Sequence, residues 1–307
     1  MSNAVHLTLE HYSSENKETL ANLERILMTG RLAGTGKLVI LPVDQGFEHG
    51  PARSFAMNPA AYDPDYHVNL AIEAGCSAYA APYGFIQHVA SRYAKKMPLI
   101  LKLNNHDSIV KEDDPIPALT SSVEDAARMG CVGVGFTIYP GSKPWRDMYQ
   151  QLQSVAAKAR EHGLVLIVWC YPRGSGMSKE GQTGIDIIAY AAHLAAQMGA
   201  HIIKVKLPTD HIEDEKAKAV YESENVAIGT LAERVAHVVQ SAFNGKRLII
   251  FSGGSKKEDA EIYDEIRAIR DGGGHGSVIG RNSFQRDKEH AVEFLTTVMD
   301  IHAGKIQ

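Results

Sequence analysis

Short apolar runs alternate with longer stretches of mixed apolar and polar residues along most of the chain. The apolar runs have the length of buried β-strands and are rich in Val, Ile and Leu. The longer stretches repeat apolar residues every three or four positions, as amphipathic helices do. The predicted strands are residues 38–43, 76–81, 98–103, 131–138, 164–169, 202–207, 248–251 and 277–279. The predicted helices are residues 17–28, 64–74, 122–129, 144–162, 184–198, 226–243, 257–270 and 286–302.

Eight strands that alternate with helices predict an α/β protein with a single (β/α)8 TIM barrel. An open doubly wound sheet is the other candidate, but no Gly-x-Gly-x-x-Gly sequence follows the first strand, and the strand count fits a closed barrel. Gly75, Gly130 and Gly199 precede the second, fourth and sixth strands, and we expect each to end a helix in the left-handed conformation. We assign residues 1–36 to an N-terminal helical arm and residues 37–307 to the barrel, the catalytic domain.

The composition is that of an ordinary water-soluble protein, with 44% hydrophobic and 22% charged residues among 307. A formal net charge of −4 provides no basic field for nucleic acid, and no apolar run reaches the roughly 20 residues of a membrane span. Cys76, Cys131 and Cys170 are far apart in the sequence and lie in or beside apolar runs. Buried free thiols and a cytoplasmic location are therefore predicted.

Two lysines, Lys204 and Lys206, interrupt the sixth apolar run. Both should point to the same side, because side chains alternate along a strand. A buried ammonium is costly unless it is paired, and two adjacent ammonium groups repel each other. One interpretation is a strand end whose lysines reach solvent. The other is a Schiff-base lysine whose pKa is lowered by burial and by a cationic neighbour. Lys206 would be that neighbour, or it would bind substrate oxygens instead.

The active site of a TIM barrel lies at the C-terminal ends of its strands. Asp44 ends the first strand and is either a cap or turn residue or a carboxylate that faces a lysine across the barrel mouth. Trp169 and Tyr171 lie at the end of the fifth strand, and the phenol either exchanges protons near an imine or stacks beside a substrate. The fourteen histidines form no metal-binding pattern, which favours imine chemistry without a metal or another cofactor.

Glycine-containing loops follow the seventh and eighth strands, at Ser252-Gly253-Gly254 and Gly280-Arg281. Loops at these positions of a TIM barrel offer backbone N–H groups to phosphate, and Arg281 could add a bidentate contact. A Ser-Gly-Gly sequence by itself is usually only a turn. Two such loops on consecutive late strands favour a phosphate-binding site.

Several of these stretches together resemble class I fructose-bisphosphate aldolases of the bacterial and archaeal type, which belong to the deoxyribose-phosphate-aldolase-like superfamily. The similarity runs in order from about residue 29 to residue 286. The stretches that carry it are residues 29–36 (TGRLAGTG), 41–46 (LPVDQG), 48–49 (EH), 168–171 (VWCY), 199–206 (GAHIIKVK), 251–254 (FSGG) and 279–281 (IGR).

The resemblance implies a TIM-barrel lyase that cleaves fructose 1,6-bisphosphate to dihydroxyacetone phosphate and glyceraldehyde 3-phosphate, in glycolysis and gluconeogenesis. It implies that Lys204 forms the imine, that Asp44 lies near it, and that Tyr171 is the general acid and base beside Trp169. The two glycine-containing loops would hold the 1-phosphate, and Arg173 would help to bind the other phosphate. Members of this family are commonly homo-oligomers.

Two alternatives stay open at this stage. The barrel and its lysine also suit another lysine-dependent aldolase, or a transaldolase-like or thiolase-like enzyme, acting on a phosphorylated ketose. A sugar-phosphate sensor would keep the phosphate loops but form no imine. Residues 208–225, a long loop rich in Asp, Glu and Lys after the sixth strand, could reshape the site of the second phosphate.

Overall fold

Eight parallel strands form a closed barrel in the computed structural model, which describes residues 2–252 and 257–306. The strands are β1 (Leu38–Pro42), β2 (Ala78–Ala81), β3 (Leu99–Lys102), β4 (Gly133–Ile138), β5 (Val165–Cys170), β6 (Ile202–Lys206), β7 (Leu248–Ser252) and β8 (Gly276–Val278). They follow one another around the barrel in sequence order, and β8 pairs with β1. The predicted (β/α)8 fold is confirmed.

Helices surround the barrel and precede it. They are α1 (Asn3–Glu10), α2 (Lys17–Leu27), α3 (Gln45–His49), α4 (Pro51–Phe55), α5 (Pro64–Ala74), α6 (Tyr83–Tyr93), α7 (Val123–Arg128), α8 (Trp145–Glu161), α9 (Ile185–Gln197), α10 (Glu215–Ser223), α11 (Leu231–Ser241), α12 (Asp259–Asp271), α13 (Arg281–Phe284) and α14 (Lys288–His302). Short 3-10 helices lie at Pro59–Tyr62 and Gly181–Thr183, and Asn104–Asn105 pairs with Ala118–Leu119 in a small antiparallel ribbon. None of the helices in these described ranges is both long and apolar enough to cross a membrane.

The short helices α3, α4 and α13 were not predicted, and three longer helical segments also differ from the sequence prediction. Helix α6 was not predicted: it follows Pro82, has no side-chain cap, and carries Gly84 in its first turn, all of which suggest a turn. Helix α10 lies inside the segment predicted as a loop, capped by Asp214 and burying none of its residues. Helix α11 begins at Leu231 rather than at residue 226, because Thr230 and Glu233 form a capping box there.

Glycines end the helices where they were expected to. Gly75, Gly130 and Gly199 have φ angles of +79°, +70° and +85°, the left-handed conformation that glycine adopts at little cost. Each reverses the chain into the next strand, so these glycines are part of the scaffold.

The N-terminal arm closes the end of the barrel where the strands begin. Val5, Leu23 and Leu27 pack in one apolar cluster with interior side chains of the strands. Tyr12 Oη donates a hydrogen bond to the carbonyl oxygen of His201 (2.7 Å) and accepts one from the N–H of Leu248 (2.9 Å), directly before β6 and at the start of β7. The opposite end, where the strands finish, is left open.

The interior of the barrel is filled by a tryptophan beneath the open end. Trp169 on β5 is 1% exposed and is one of the largest fully buried side chains. Its ring lies against Gly135 on β4, where an added Cβ would overlap the indole. The glycine therefore makes room for Trp169, and the indole forms a floor on which the site is built.

Candidate active site

A cavity of about 750 Å³ opens at the C-terminal ends of the strands. Eight of the predicted site residues line it: Asp44, Tyr171, Arg173, Lys204, Lys206, Ser252, Gly280 and Arg281. Gly253 and Gly254 lie outside the described residues, and Trp169 lies beneath the cavity. A second cavity, of about 510 Å³, lies between α7 and α8 and contains none of the predicted residues.

Lys204 projects from β6 into this cavity, and its Nζ lies 5.3 Å from the ring centres of both Trp169 and Tyr171. The residue is 5% exposed, and burial lowers the pKa of the amine to about 8, with a further contribution from the Lys102 ammonium. Within the described ranges, Lys204 Nζ has no hydrogen bond and no ion pair. A lysine in this state has a reactive neutral fraction at neutral pH.

The like charge that acts on Lys204 is Lys102 on β3, whereas the sequence analysis expected Lys206. Lys102 is 1% exposed and pairs with the cavity residues Asp44 and Glu48, and its Nζ lies 5.8 Å from the centre of the Trp169 ring. Lys206 is two residues further along β6, roughly 6–7 Å nearer to solvent, where water screens its charge. The pKa of Lys206 is itself lowered to about 8, by burial and by the nearby Arg173 guanidinium.

Asp44 joins the two lysines electrostatically. Its carboxylate makes no capping hydrogen bond to α3, although Asp44 is the residue directly before that helix. Asp44 Oδ2 instead lies 3.6 Å from Lys102 Nζ. Burial raises the pKa of the carboxyl, but the Lys102 and Lys204 ammonium groups outweigh it, so the pKa falls below its ordinary value. Asp44 is therefore a carboxylate at neutral pH, as its proposed place near an imine requires.

Tyr171 lies beside Lys204 as a protonated phenol. Burial, and then the Asp44 carboxylate, raise its pKa well above the ordinary value, and the neighbouring Ser252 side chain offsets only part of this. A group of this kind can donate a proton to a leaving or developing oxygen. The geometry is consistent with either of the two roles expected for Tyr171, since the ring also faces the cavity.

Basic groups lie on both sides of Lys204 around the barrel rim. Arg281 follows β8, and Arg173 follows β5, where its Nη1 donates a hydrogen bond to Gln182 Oε1 (2.7 Å). Gly280 leaves little room for a side chain, because a Cβ would lie 2.6 Å from Gln45 Nε2 and 3.0 Å from the carbonyl oxygen of Pro42. Two separated guanidinium groups suit a substrate with anionic groups at both ends.

No group of three histidine, cysteine or acidic side chains that could hold a metal lies at this cavity among residues 2–252 and 257–306. His49 lines the cavity, whereas His106 packs edge-on against Tyr139, 6.3 Å between ring centres. In the part of the chain that the structure describes, the one group of three side chains able to hold a metal is Asp63, Asp65 and His88, away from the cavity. Asp65 there is already paired with Arg92.

Comparison with known proteins assigns the chain to a family. Residues 38–286, the whole barrel from β1 onward, match the DeoC/LacD family of aldolases. The chain belongs to this family. The aldolase is 38% identical to the probable class 1 fructose-bisphosphate aldolase of Chlamydia trachomatis, over 94% of this chain and 86% of that protein.

Solved structures agree with this assignment. The crystal structure of an archaeal fructose 1,6-bisphosphate aldolase matches with a TM-score of 0.76 and 30% identity, over 92% of this chain and 99% of that one. An archaeal fructose-1,6-bisphosphate aldolase with its catalytic lysine covalently bound to the carbinolamine intermediate matches with a TM-score of 0.75 and 30% identity, over 91% and 98%. The predicted family, and with it an aldolase lyase of the Schiff-base type, is confirmed.

Two residues of this aldolase's site were assigned no role from the sequence. Lys102 and Glu48 form an ion pair of 3.2 Å beneath and beside the cavity. For Lys102, the available signal was its position as a lysine within the apolar run 98–103. Glu48 belongs to one of the stretches that carry the family resemblance, but it lies in helix α3, which was not predicted, and no contact could be assigned to it.

Proposed function

We propose that this chain is a class I fructose-bisphosphate aldolase, which reversibly cleaves fructose 1,6-bisphosphate to dihydroxyacetone phosphate and glyceraldehyde 3-phosphate. The observation that carries the proposal is Lys204: a buried, unpaired lysine with a pKa of about 8, facing a cavity with a guanidinium group on either side. The relatives that match most of the chain are named as enzymes of this reaction.

The first half of the reaction forms the imine. The lone pair of neutral Lys204 Nζ attacks the C2 carbonyl carbon, and a proton passes from the nitrogen to the carbonyl oxygen to give a carbinolamine. The Tyr171 phenol then donates its proton to the C2 hydroxyl, which leaves as water while the nitrogen lone pair forms the C=N bond. A protonated imine and a tyrosinate result, and the positive charge of the first stabilises the second.

The second half cleaves the C3–C4 bond. The tyrosinate of Tyr171 takes the proton of the C4 hydroxyl as the aldehyde forms, and the C3–C4 electron pair moves into the iminium to give an enamine. The same phenol then protonates C3, and water hydrolyses the imine to release dihydroxyacetone phosphate and regenerate the amine. Asp44 keeps a negative charge near the nitrogen while it is cationic.

The remaining groups are assigned to binding. We propose that Arg281, Gly280, Ser252 and the adjoining Gly253 and Gly254 hold the 1-phosphate, and that Arg173 and Lys206 hold the distal phosphate. Trp169 supports the bound chain from below, since its ring lies under Lys204. The expected homo-oligomeric state and cytoplasmic location stay predictions, the first open to measurement by light scattering.

Borohydride reduction tests the imine. The wild-type protein, incubated with dihydroxyacetone phosphate and reduced, should carry one adduct on Lys204 by peptide mass spectrometry, and Lys204→Ala should carry none and lose activity. Turnover of fructose 1,6-bisphosphate should survive a chelator. An adduct on Lys206, or activity lost with the chelator and restored by zinc, would contradict the proposal.

A further inference from the structure

Lys102 is a buried cation that the steps above do not use. Its Nζ donates a hydrogen bond to the carbonyl oxygen of Asn104 (2.8 Å) and pairs with Glu48 Oε1 (3.2 Å) and Asp44 Oδ2 (3.6 Å). The Asn104 side chain is itself fixed, because it donates to the carbonyl of Thr137 (2.9 Å) and accepts from the N–H of Thr137 (2.7 Å). The ammonium of Lys102 is thus held in one place.

The position of Asp44 follows from these contacts. Its carboxylate faces two ammonium groups, yet its ion pair is with Lys102, and no carboxylate of the described residues lies within 4 Å of Lys204 Nζ. A close carboxylate would keep Lys204 protonated, because an opposite charge favours the charged form. By pairing with Lys102, the Asp44 carboxylate is kept from forming a close ion pair that would hold Lys204 in its protonated form.

Other titratable or charged groups line the cavity with Lys204 or adjoin it. They are Asp44, Glu48 and His49 after β1, Lys102 on β3, Tyr139 after β4, Tyr171 and Arg173 after β5, Lys206 on β6 itself, Asp210 after β6, Arg234 on α11, Lys257 and Glu265 at α12, and Arg281 after β8. After burial, the charges that act on Lys204 are those of Asp44, Lys102 and Glu48, which are the members of one ion-pair group.

We propose that Lys102 is a positioning residue that keeps Lys204 uncharged and nucleophilic, by holding the Asp44 and Glu48 carboxylates in ion pairs of its own and by placing a second ammonium near the same Trp169 ring that Lys204 Nζ lies over. This inference rests on the proposed function, in which neutral Lys204 attacks the substrate. Its readout, however, is the charge state of Lys204, which can be measured without turnover.

The experiment labels amines with trinitrobenzenesulfonate over a range of pH and quantifies the Lys204 peptide, because only the neutral amine reacts. In the wild type, labelling should rise through a midpoint near pH 8. In Lys102→Met the midpoint should move up by about one pH unit or more, which lowers labelling and kcat/KM at pH 7 about tenfold or more, with recovery above pH 9. Lys102→Arg keeps the charge and should keep the midpoint.

Two further variants separate this effect from damage to the fold. In Lys102→Met/Asp44→Asn the midpoint should return toward the wild-type value, since the released carboxylate is then absent. Lys37→Met is the matched control, because it deletes a half-buried lysine, bonded to the Gly274 carbonyl (2.6 Å), at the other end of the barrel. It should leave the Lys204 midpoint unchanged.

The outcomes distinguish the two proposals. An unmoved midpoint in Lys102→Met, or an equal loss of labelling at every pH, would overturn the role of Lys102. A wild-type protein that shows the low midpoint but gives no borohydride adduct with dihydroxyacetone phosphate would overturn the proposed function and leave the charge coupling standing.

Discussion

At the scale of single residues, the chemistry of the site depends on keeping a lysine neutral in a place where it can react. At a pKa of about 8, about one Lys204 in ten is neutral at pH 7, against about one in a few thousand for an ordinary lysine. Burial supplies most of this difference, and the Lys102 ammonium adds to it. Because the neutral form reacts, activity should rise with pH up to about pH 8 and then level off.

The Tyr171 phenol is the expected proton carrier. Tyr171→Phe removes the hydroxyl and keeps the ring against Lys204, so kcat for cleavage should fall by roughly 10²- to 10⁴-fold, the usual contribution of general acid and base catalysis. The borohydride adduct on Lys204 should still form on long incubation. Retention of kcat within tenfold would move the proton transfer to another group, of which Asp44 is the nearest candidate.

Arg281 is the residue to test for the 1-phosphate. Arg281→Ala removes a charge-assisted contact worth about 1.5–3 kcal/mol, which corresponds to roughly a 10- to 150-fold loss in kcat/KM for fructose 1,6-bisphosphate. Fructose 6-phosphate, which lacks the 1-phosphate, serves as the control substrate and should lose far less. Equal losses for both sugars would mean that Arg281 does not bind that phosphate.

The residues of the site were predictable to the extent that their position in the sequence fixed their position in space. Strand ends in a barrel converge, so Asp44, Tyr171, Lys204 and Arg281 could be placed in one cavity from the strand pattern alone. The partner of a charge could not be placed in this way. Lys206 is the nearer lysine in sequence. The lysine that lowers the pKa of Lys204, however, is Lys102 on β3, three strands away from β6 around the barrel.

At the scale of elements, the strands were the most predictable part, because each is a buried apolar run between turn signals. The helices were less so, since α6 and α10 carry weak local signals and depend on what surrounds them. Strand β4 shows a further dependence on partners. Its Gly133 and Gly135 look unfavourable for a strand, but they face the large interior side chains Ile167 and Trp169 on β5.

Gly135→Ala tests this packing. The added methyl group would overlap the Trp169 ring, so we expect a loss of about 1–3 kcal/mol in the free energy of unfolding, measured with urea or guanidinium chloride. Gly84→Ala in α6 is the matched control, because nothing lies within 4 Å of the added Cβ. It should be neutral or stabilising by up to about 1 kcal/mol. Equal stabilities for the two variants would contradict a packing role for Gly135.

At the scale of the whole molecule, the arm and the barrel share buried surface. The sequence divided the chain at residue 36, a division that stays a prediction, whereas the structure packs α2 under the strands. An arm that seals the barrel should unfold together with it. Its polar contacts could not be foreseen, because they join Tyr12 to backbone groups near residues 201 and 248.

Tyr12→Phe tests the seal. The substitution keeps the ring but leaves a buried carbonyl and N–H group with one partner fewer, at a cost of about 1–3 kcal/mol in the free energy of unfolding. Catalysis at 25 °C should be unaffected, because the cavity lies at the other end. Tyr190→Phe is the control, because Tyr190 is 57% exposed. It should change neither the free energy of unfolding nor catalysis. A Tyr12→Phe protein as stable as the wild type would show that the contact contributes nothing.

Closure of the barrel at one end also affects the order in which products leave the site. Among the described residues, Trp169 and the arm close one end of the barrel, and the cavity opens at the other. In the proposed mechanism the ketone product stays bonded to Lys204 after C3–C4 cleavage, while the aldehyde product is free. The aldehyde should therefore leave first and, in the synthetic direction, bind second, which is an ordered mechanism.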